Sequence, residues 1–135
     1  MAKLFIEKSI NINAPVSKVW RVFTDPSLTR QMGGEYVSDW KVGSPIGWKG
    51  LAGNMVTNGT ILKLEQEKLL QHELFNSVGS ISSVITYEFS EKAGVTTLHA
   101  SENFTQPIPD KEYADVVAGW DAALVAVKET AEKVD

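Results

Sequence analysis

Few side chains in this sequence are equipped for acid–base or ligand chemistry, and their spacing narrows the choice further. There are two histidines, His72 and His99, each within a stretch that alternates apolar and polar residues as a strand does. A zinc site needs three or four ligands in a tight cluster, and neither a helical His-Glu pairing nor a His-x-His spacing supplies one. Both histidines therefore read as ordinary strand residues. For His99 two registers remain open. Either Leu98, Ala100 and Phe104 take the core face, or the opposite register turns His99 itself toward a cavity. Glu102 shares parity with Leu98, Ala100 and Phe104, and a carboxyl group on that face would need a partner or a proton. The competing reading places Glu102 near the strand end, in solvent. Glu73 and Glu88 pose the same question more weakly. Ser77, Ser80, Ser82 and Ser83 form no nucleophile elbow, and Gly50-Leu-Ala-Gly53 does not continue into a phosphate-binding Gly-Lys-Ser/Thr.

The aromatic residues are better placed to act together. Four tryptophans occur in 135 residues. Trp20 reads as helix core. Trp40 and Trp48 fall on adjacent predicted strands beside a glycine-rich stretch, where they could form a pocket mouth. Trp120 lies mid-helix next to Gly119, which would permit close backbone approach at a cost of about 1 kcal/mol in helix propensity. Taken singly, each aromatic is most simply core packing. Together with Tyr87, Phe89 and Tyr113, they outline an apolar pocket.

Elements that could position these residues follow from periodicity. Residues 3–13 alternate, with Leu4, Ile6, Ile10 and Ile12 on one face, which marks a half-buried strand. Pro15 suits a first helical turn, and Val16, Val19, Trp20 and Phe23 then recur along one helical face. Asp25-Pro26 ends that helix and caps a second, Pro26 to Met32. Strands are expected at 35–41, 46–50, 57–66, 69–76, 81–90 and 95–104, with Asn58-Gly59 either a hairpin turn or a bulge. Their short separators imply an antiparallel meander. Asp110 is placed to cap a long final helix whose stripe is Tyr113, Val116, Val117, Trp120, Leu124 and Val127. An antiparallel sheet needs one face covered, and only this helix is long enough to cover it. A curled sheet around a single helix leaves a gap between them, and binding is expected there.

Composition sets the outer limits. The chain has the length of one domain, residues 1–135, with 43% hydrophobic and 22% charged residues and a formal charge of -4, which is ordinary globular chemistry. That balance gives nucleic acid no basic footprint to bind. The absence of cysteine removes disulfides, thiolate metal sites and cysteine nucleophiles. With no signal-like start and no apolar run near the roughly 20 residues of a membrane span, a cytoplasmic protein is expected.

Four stretches carry a family resemblance: Ile10-Asn-Ile-Asn-Ala-Pro-Val-Ser-Lys-Val-Trp20, the Asp25-Pro26 step, Trp40-Lys-Val-Gly43 with Ile46-Gly-Trp48-Lys-Gly50, and Gly119-Trp120-Asp-Ala-Ala-Leu124. In this order they resemble the START-like (SRPBCC) superfamily of helix-grip proteins, and within it the homologues of the C-terminal domain of the activator of heat-shock protein 90 ATPase. The resemblance implies an α+β helix-grip fold of order β-α-α-β(5-6)-α, with six to seven strands around the last helix. The function expected is non-enzymatic binding of a small hydrophobic or aromatic ligand between sheet and helix, with no cofactor or metal. The residues expected to hold that ligand are Trp40, Trp48, Tyr87, His99, Glu102, Tyr113, Val117 and Trp120. Two alternatives are a module regulating a chaperone ATPase, with the chaperone as partner, and an enzyme like the polyketide cyclases and dehydratases.

Overall fold

The computed structural model describes residues 3–32, 34–50, 55–75 and 81–133. A first strand, β1 (Lys3–Ile12), leads into two short helices, α1 (Val16–Thr24) and α2 (Pro26–Thr29), the latter continued by a 3-10 turn at Arg30–Met32. Six strands follow: β2 (Gly34–Ser38), β3 (Pro45–Gly50), β4 (Met55–Glu65), β5 (Leu69–Phe75), β6 (Ile81–Lys92) and β7 (Val95–Ile108). The chain then forms the long helix α3 (Asp110–Lys133). All neighbouring strands are antiparallel, in the order β1-β7-β6-β5-β4-β3-β2. This is the expected helix-grip architecture, a curled seven-stranded sheet closed by α3.

Local sequence accounts for the boundaries. Asp25 accepts hydrogen bonds from the Ser27 backbone N–H and hydroxyl, at 3.0 and 2.7 Å, and so begins α2. These bonds, with Arg21 nearby, hold the Asp25 carboxyl below the usual carboxylate range. Asp110 is the first helical residue rather than the cap, since the Tyr113 N–H already donates to the Pro109 carbonyl at 2.9 Å. Asn58-Gly59 is no hairpin turn. It lies inside β4, and a Cβ on Gly59 would stand 1.6 Å from the Glu73 carbonyl oxygen of β5. Only glycine admits that approach.

The register aligns one concave row across the sheet. Ile6 pairs with Glu102, Glu102 with Ile85, Ile85 with His72, and His72 with Ile61. Alternation puts all five on the same face, and all five are buried. Phe5 and Glu7, on the opposite parity of β1, are exposed.

Helix α3 does not sit symmetrically in this trough. It packs along β1, α1 and the Arg30–Met32 turn. Lys8 pairs with Asp121 at 3.2 Å, and Tyr113 donates to the Phe5 carbonyl at 3.1 Å. At its C-terminal end Glu132 accepts from the Asn13 N–H at 2.9 Å and is paired with Lys128. With the helix fastened toward β1, the concave surface of β2, β3 and β5 is left partly open.

Candidate functional site

The opening is an apolar cleft of about 740 Å³ between α3 and the sheet. Tyr36 of β2, Trp48 of β3, His72 and Leu74 of β5, and Ile85 and Tyr87 of β6 form its sheet side. Val116, Gly119, Trp120 and Ala123 form its helix side. A smaller chamber of about 130 Å³ adjoins it, sharing Tyr36, Trp48, Tyr87, Trp120 and Ala123 and extending to Phe23 and Met32.

The walls are held by aromatic contacts. Tyr36 and Trp48 are cross-strand partners with rings edge-on at 5.1 Å. Gly34 makes room for that indole, because a Cβ there would lie 2.5 Å from Trp48 Nε1. Tyr87 meets Phe23 at 4.9 Å and Trp120 at 5.7 Å. Edge-to-face arrangements of this kind add stability beyond the area they bury.

Glu102 fixes the helix wall. Its two carboxyl oxygens accept from Trp120 Nε1 at 2.9 Å and from Ser83 Oγ at 2.7 Å, and its residual exposure is 8%. It is thus a buried anchor for the indole, on the core side of its strand. The Tyr36 and Tyr87 hydroxyls lie 3.3 Å apart. Burial raises both phenols, Tyr87 well above its usual value with further help from Tyr36, so both remain protonated.

His72 supplies the third polar group. Its Nδ1 is 3.0 Å from the Glu73 carbonyl oxygen. A carbonyl can only accept, so Nδ1 carries the proton and Nε2 presents a lone pair. That Nε2 is the buried side-chain polar atom without a hydrogen-bond partner among the described residues. Desolvation lowers the His72 pKa, outweighing the opposing influence of the Glu73 carbonyl and of Glu102, and keeps the ring neutral near pH 7.

Of the residues expected from sequence, Trp48, Tyr87 and Trp120 line the cleft, and Glu102 stands behind Trp120. His99 does not. Leu98 and Ala100 take the inner face, which turns His99 outward to Glu7 at 3.0 Å and Glu88 at 3.9 Å. Trp40 lies beyond the end of β2 with φ 56°, and this left-handed turn carries it into a separate hollow with Trp20 and Leu64. Val117 packs on the core outside the cleft lining, whereas Val116, one helical step round, packs on the core and also lines the cleft. Tyr113 is likewise packed on the core, its hydroxyl tied to β1. Gly119 makes no close backbone contact; a Cβ there would meet nothing within 4 Å, so it widens the cleft. The glycine-rich segment 51–54, expected at the mouth, lies outside the described residues.

Tyr36, His72 and Ala123 are among the lining residues absent from the expected set, as are Leu74, Ile85 and Val116. His72 shares parity with Leu70 and Leu74 on β5, which was the signal for an inward side chain. Tyr36 could have been read from its pairing position opposite Trp48. Ala123, one turn after Gly119, carries no such signal.

A family model described as activator of Hsp90 ATPase homolog 1-like protein matches residues 13–132. No curated protein matches the chain in sequence. Among solved structures, protein MLL2253 from Mesorhizobium loti is 18% identical, with a TM-score of 0.81 over 97% of this chain and 98% of its own. The Aha1 dimer from Colwellia psychrerythraea gives 18% identity and a TM-score of 0.78 over 97% and 98%. ChR145 from Cytophaga hutchinsonii gives 27% and 0.75 over 96% and 94%. The backbone likeness thus extends over nearly the whole chain. Among the described residues no helix is long and apolar enough to cross a membrane.

Proposed function

We propose that this chain, which belongs to the activator of Hsp90 ATPase homolog 1-like family, binds a small hydrophobic or aromatic molecule in the cleft between its sheet and α3. The observation that carries this reading is the cleft itself, about 740 Å³ and walled by Trp48, Tyr87, Ile85 and Trp120. That volume is in the range of sites that enclose small ligands, and the lining has the usual make-up of an apolar surface with a few polar groups. Burying apolar ligand surface at about 25 cal/mol per Å² supplies the affinity. Tyr36, Tyr87 and His72 supply orientation. The role is binding without chemistry on the ligand.

The test uses N-phenyl-1-naphthylamine as the probe, followed by its fluorescence and by the indole N–H resonances of Trp48 and Trp120. Binding should shift both resonances. Ala123→Trp, which fills the cleft from the helix side, should weaken the probe at least tenfold while the fold persists. A probe that shifts neither indole, or binds Ala123→Trp equally well, would falsify the cleft as the binding site.

The family's description favours a second reading, regulation of a chaperone ATPase. It depends on an outer surface rather than on the cleft. Heat-shock protein 90 turnover measured with and without the domain tests it, and an unchanged rate removes it.

A further inference from the structure

His72 points to what the ligand must carry. Its ring is 3% exposed and lines the cleft, its Nδ1 proton is committed to the Glu73 carbonyl, and its Nε2 lone pair has no donor among the described residues. Leaving such an acceptor dry and unpaired is costly, and buried polar atoms in proteins are nearly always satisfied. Among the described residues the cross-strand row offers it no donor, since the neighbours of His72 in that row are Ile61 and Ile85. The Tyr36 and Tyr87 rings flank it, each with its centroid 6.4 Å from the imidazole. Their hydroxyls are turned to one another. In such a pair one hydroxyl donates and the other keeps its own O–H.

We propose that the cleft selects an aromatic or apolar molecule bearing a hydroxyl group, which donates its proton to His72 Nε2 while the ring lies against Trp48 and Trp120. The inference rests on the cleft being a ligand site and adds the ligand's chemical class. Nε2 is shielded from solvent in the structure, so the hydroxyl arrives by displacing a neighbouring side chain. Leu74, half-buried and lining the same cleft two residues along β5, has the rotamer freedom to swing aside. An unbranched hydrocarbon would displace Leu74 with no hydrogen bond in return. Molecules offering only acceptors would set lone pair against lone pair. The specificity therefore comes from an unmet acceptor, a device that discriminates more sharply than a purely apolar wall.

A matched pair of probes tests this, 2-naphthol and 2-methoxynaphthalene, which share the ring system and differ in the donor. Titration calorimetry should show 2-naphthol binding about tenfold more tightly, the effect of one buried hydrogen bond. In His72→Phe the two should bind alike, the preference lost through 2-naphthol alone. Independently of any variant, the His72 Nε2 nitrogen resonance of the natural protein should move on adding 2-naphthol and stay in place with 2-methoxynaphthalene. Equal affinities with an unmoved Nε2 resonance would overturn the hydroxyl preference and leave the cleft reading standing. If neither probe binds nor shifts Trp48 or Trp120, both readings fall. Should His72→Phe not fold, the nitrogen resonance decides alone.

Discussion

Trp120→Phe isolates the bond that fixes the helix wall of the cleft. Phenylalanine keeps an aromatic ring against Tyr87 but removes the indole N–H that donates to Glu102 Oε1 at 2.9 Å. The loss of a hydrogen bond to a carboxyl group in a site 8% exposed costs about 2 kcal/mol. The smaller ring leaves a void that adds about 1 kcal/mol. At an unfolding entropy of about 2.1 cal/mol/K per residue, the 135-residue chain has an entropy near 0.28 kcal/mol/K, so a loss of about 3 kcal/mol lowers Tm by about 10 °C. A domain with about 5–15 kcal/mol of stability remains folded through such a change. Thermal and denaturant unfolding followed by circular dichroism would measure it. Glu102→Leu provides the other arm of a double-mutant cycle. Alone it strands the Ser83 and Trp120 donors, whereas the double variant removes both ends of the Glu102–Trp120 bond. Its loss should fall short of the two single losses together by about 2 kcal/mol. If the losses add to within about 0.5 kcal/mol, or if Tm falls by less than about 3 °C, the bond does not hold the helix and the reasoning fails.

Three further outcomes follow from the geometry. Gly59→Ala should destabilise by about 4 kcal/mol or more, or prevent folding, because its Cβ would run into the Glu73 backbone; a Tm within a few degrees of the parent would contradict the β4–β5 approach. The His72 pKa is lowered in the folded chain, so the unfolded chain takes up the proton first. Stability attributable to this residue is therefore complete above the unfolded value of 6.5 and is lost as pH falls below it. Within that window the slope is at most about 1.4 kcal/mol per pH unit, and subtracting the profile of His72→Phe should expose it with that sign. His99→Gln should leave probe binding unchanged, since His99 faces Glu7 and Glu88 on the outer side of the sheet; weaker binding in a calorimetric titration would place it in the site after all.

The elements were legible because their patterns are strong and local. Pro15, Asp25-Pro26 and the alternation of residues 3–13 mark boundaries that depend on a few neighbouring residues. The site was legible only in part, because lining a cleft depends on register and helical phase. On β7 the sequence allows two parities, and the choice between His99 and Glu102 is made by pairing: Glu102 is opposite Ile6 on one side and Ile85 on the other. On α3 the stripe contains both Val116 and Val117, and the lean of the helix toward β1 decides which faces the cleft. Trp40 was misplaced for a different reason. The strand stops at Ser38, Trp40 follows with a left-handed backbone of φ 56°, and no residue type at that position announces it.

Attachment of α3 along one edge explains why the cleft exists and why it lies where it does. Lys8–Asp121 and Tyr113–Phe5 tie the helix to β1, and Asn13–Glu132 ties its end to the loop entering α1. Across the sheet from these ties, the helix offers Gly119 and Ala123 to Trp48 and Tyr36. Small side chains there leave space that larger ones would close, and Gly119 does so at about 1 kcal/mol of helix propensity. Space alone would let the helix sink into the trough. The Trp120–Glu102 bond opposes this by fixing the indole at one depth, with Glu102 itself held from the other side by Ser83. Gly34 sets the facing wall, because it lets the Trp48 indole lie against β2. The aromatic walls are thus positioned by one buried polar bond and one glycine. Both act at points where packing by itself would draw the cleft shut.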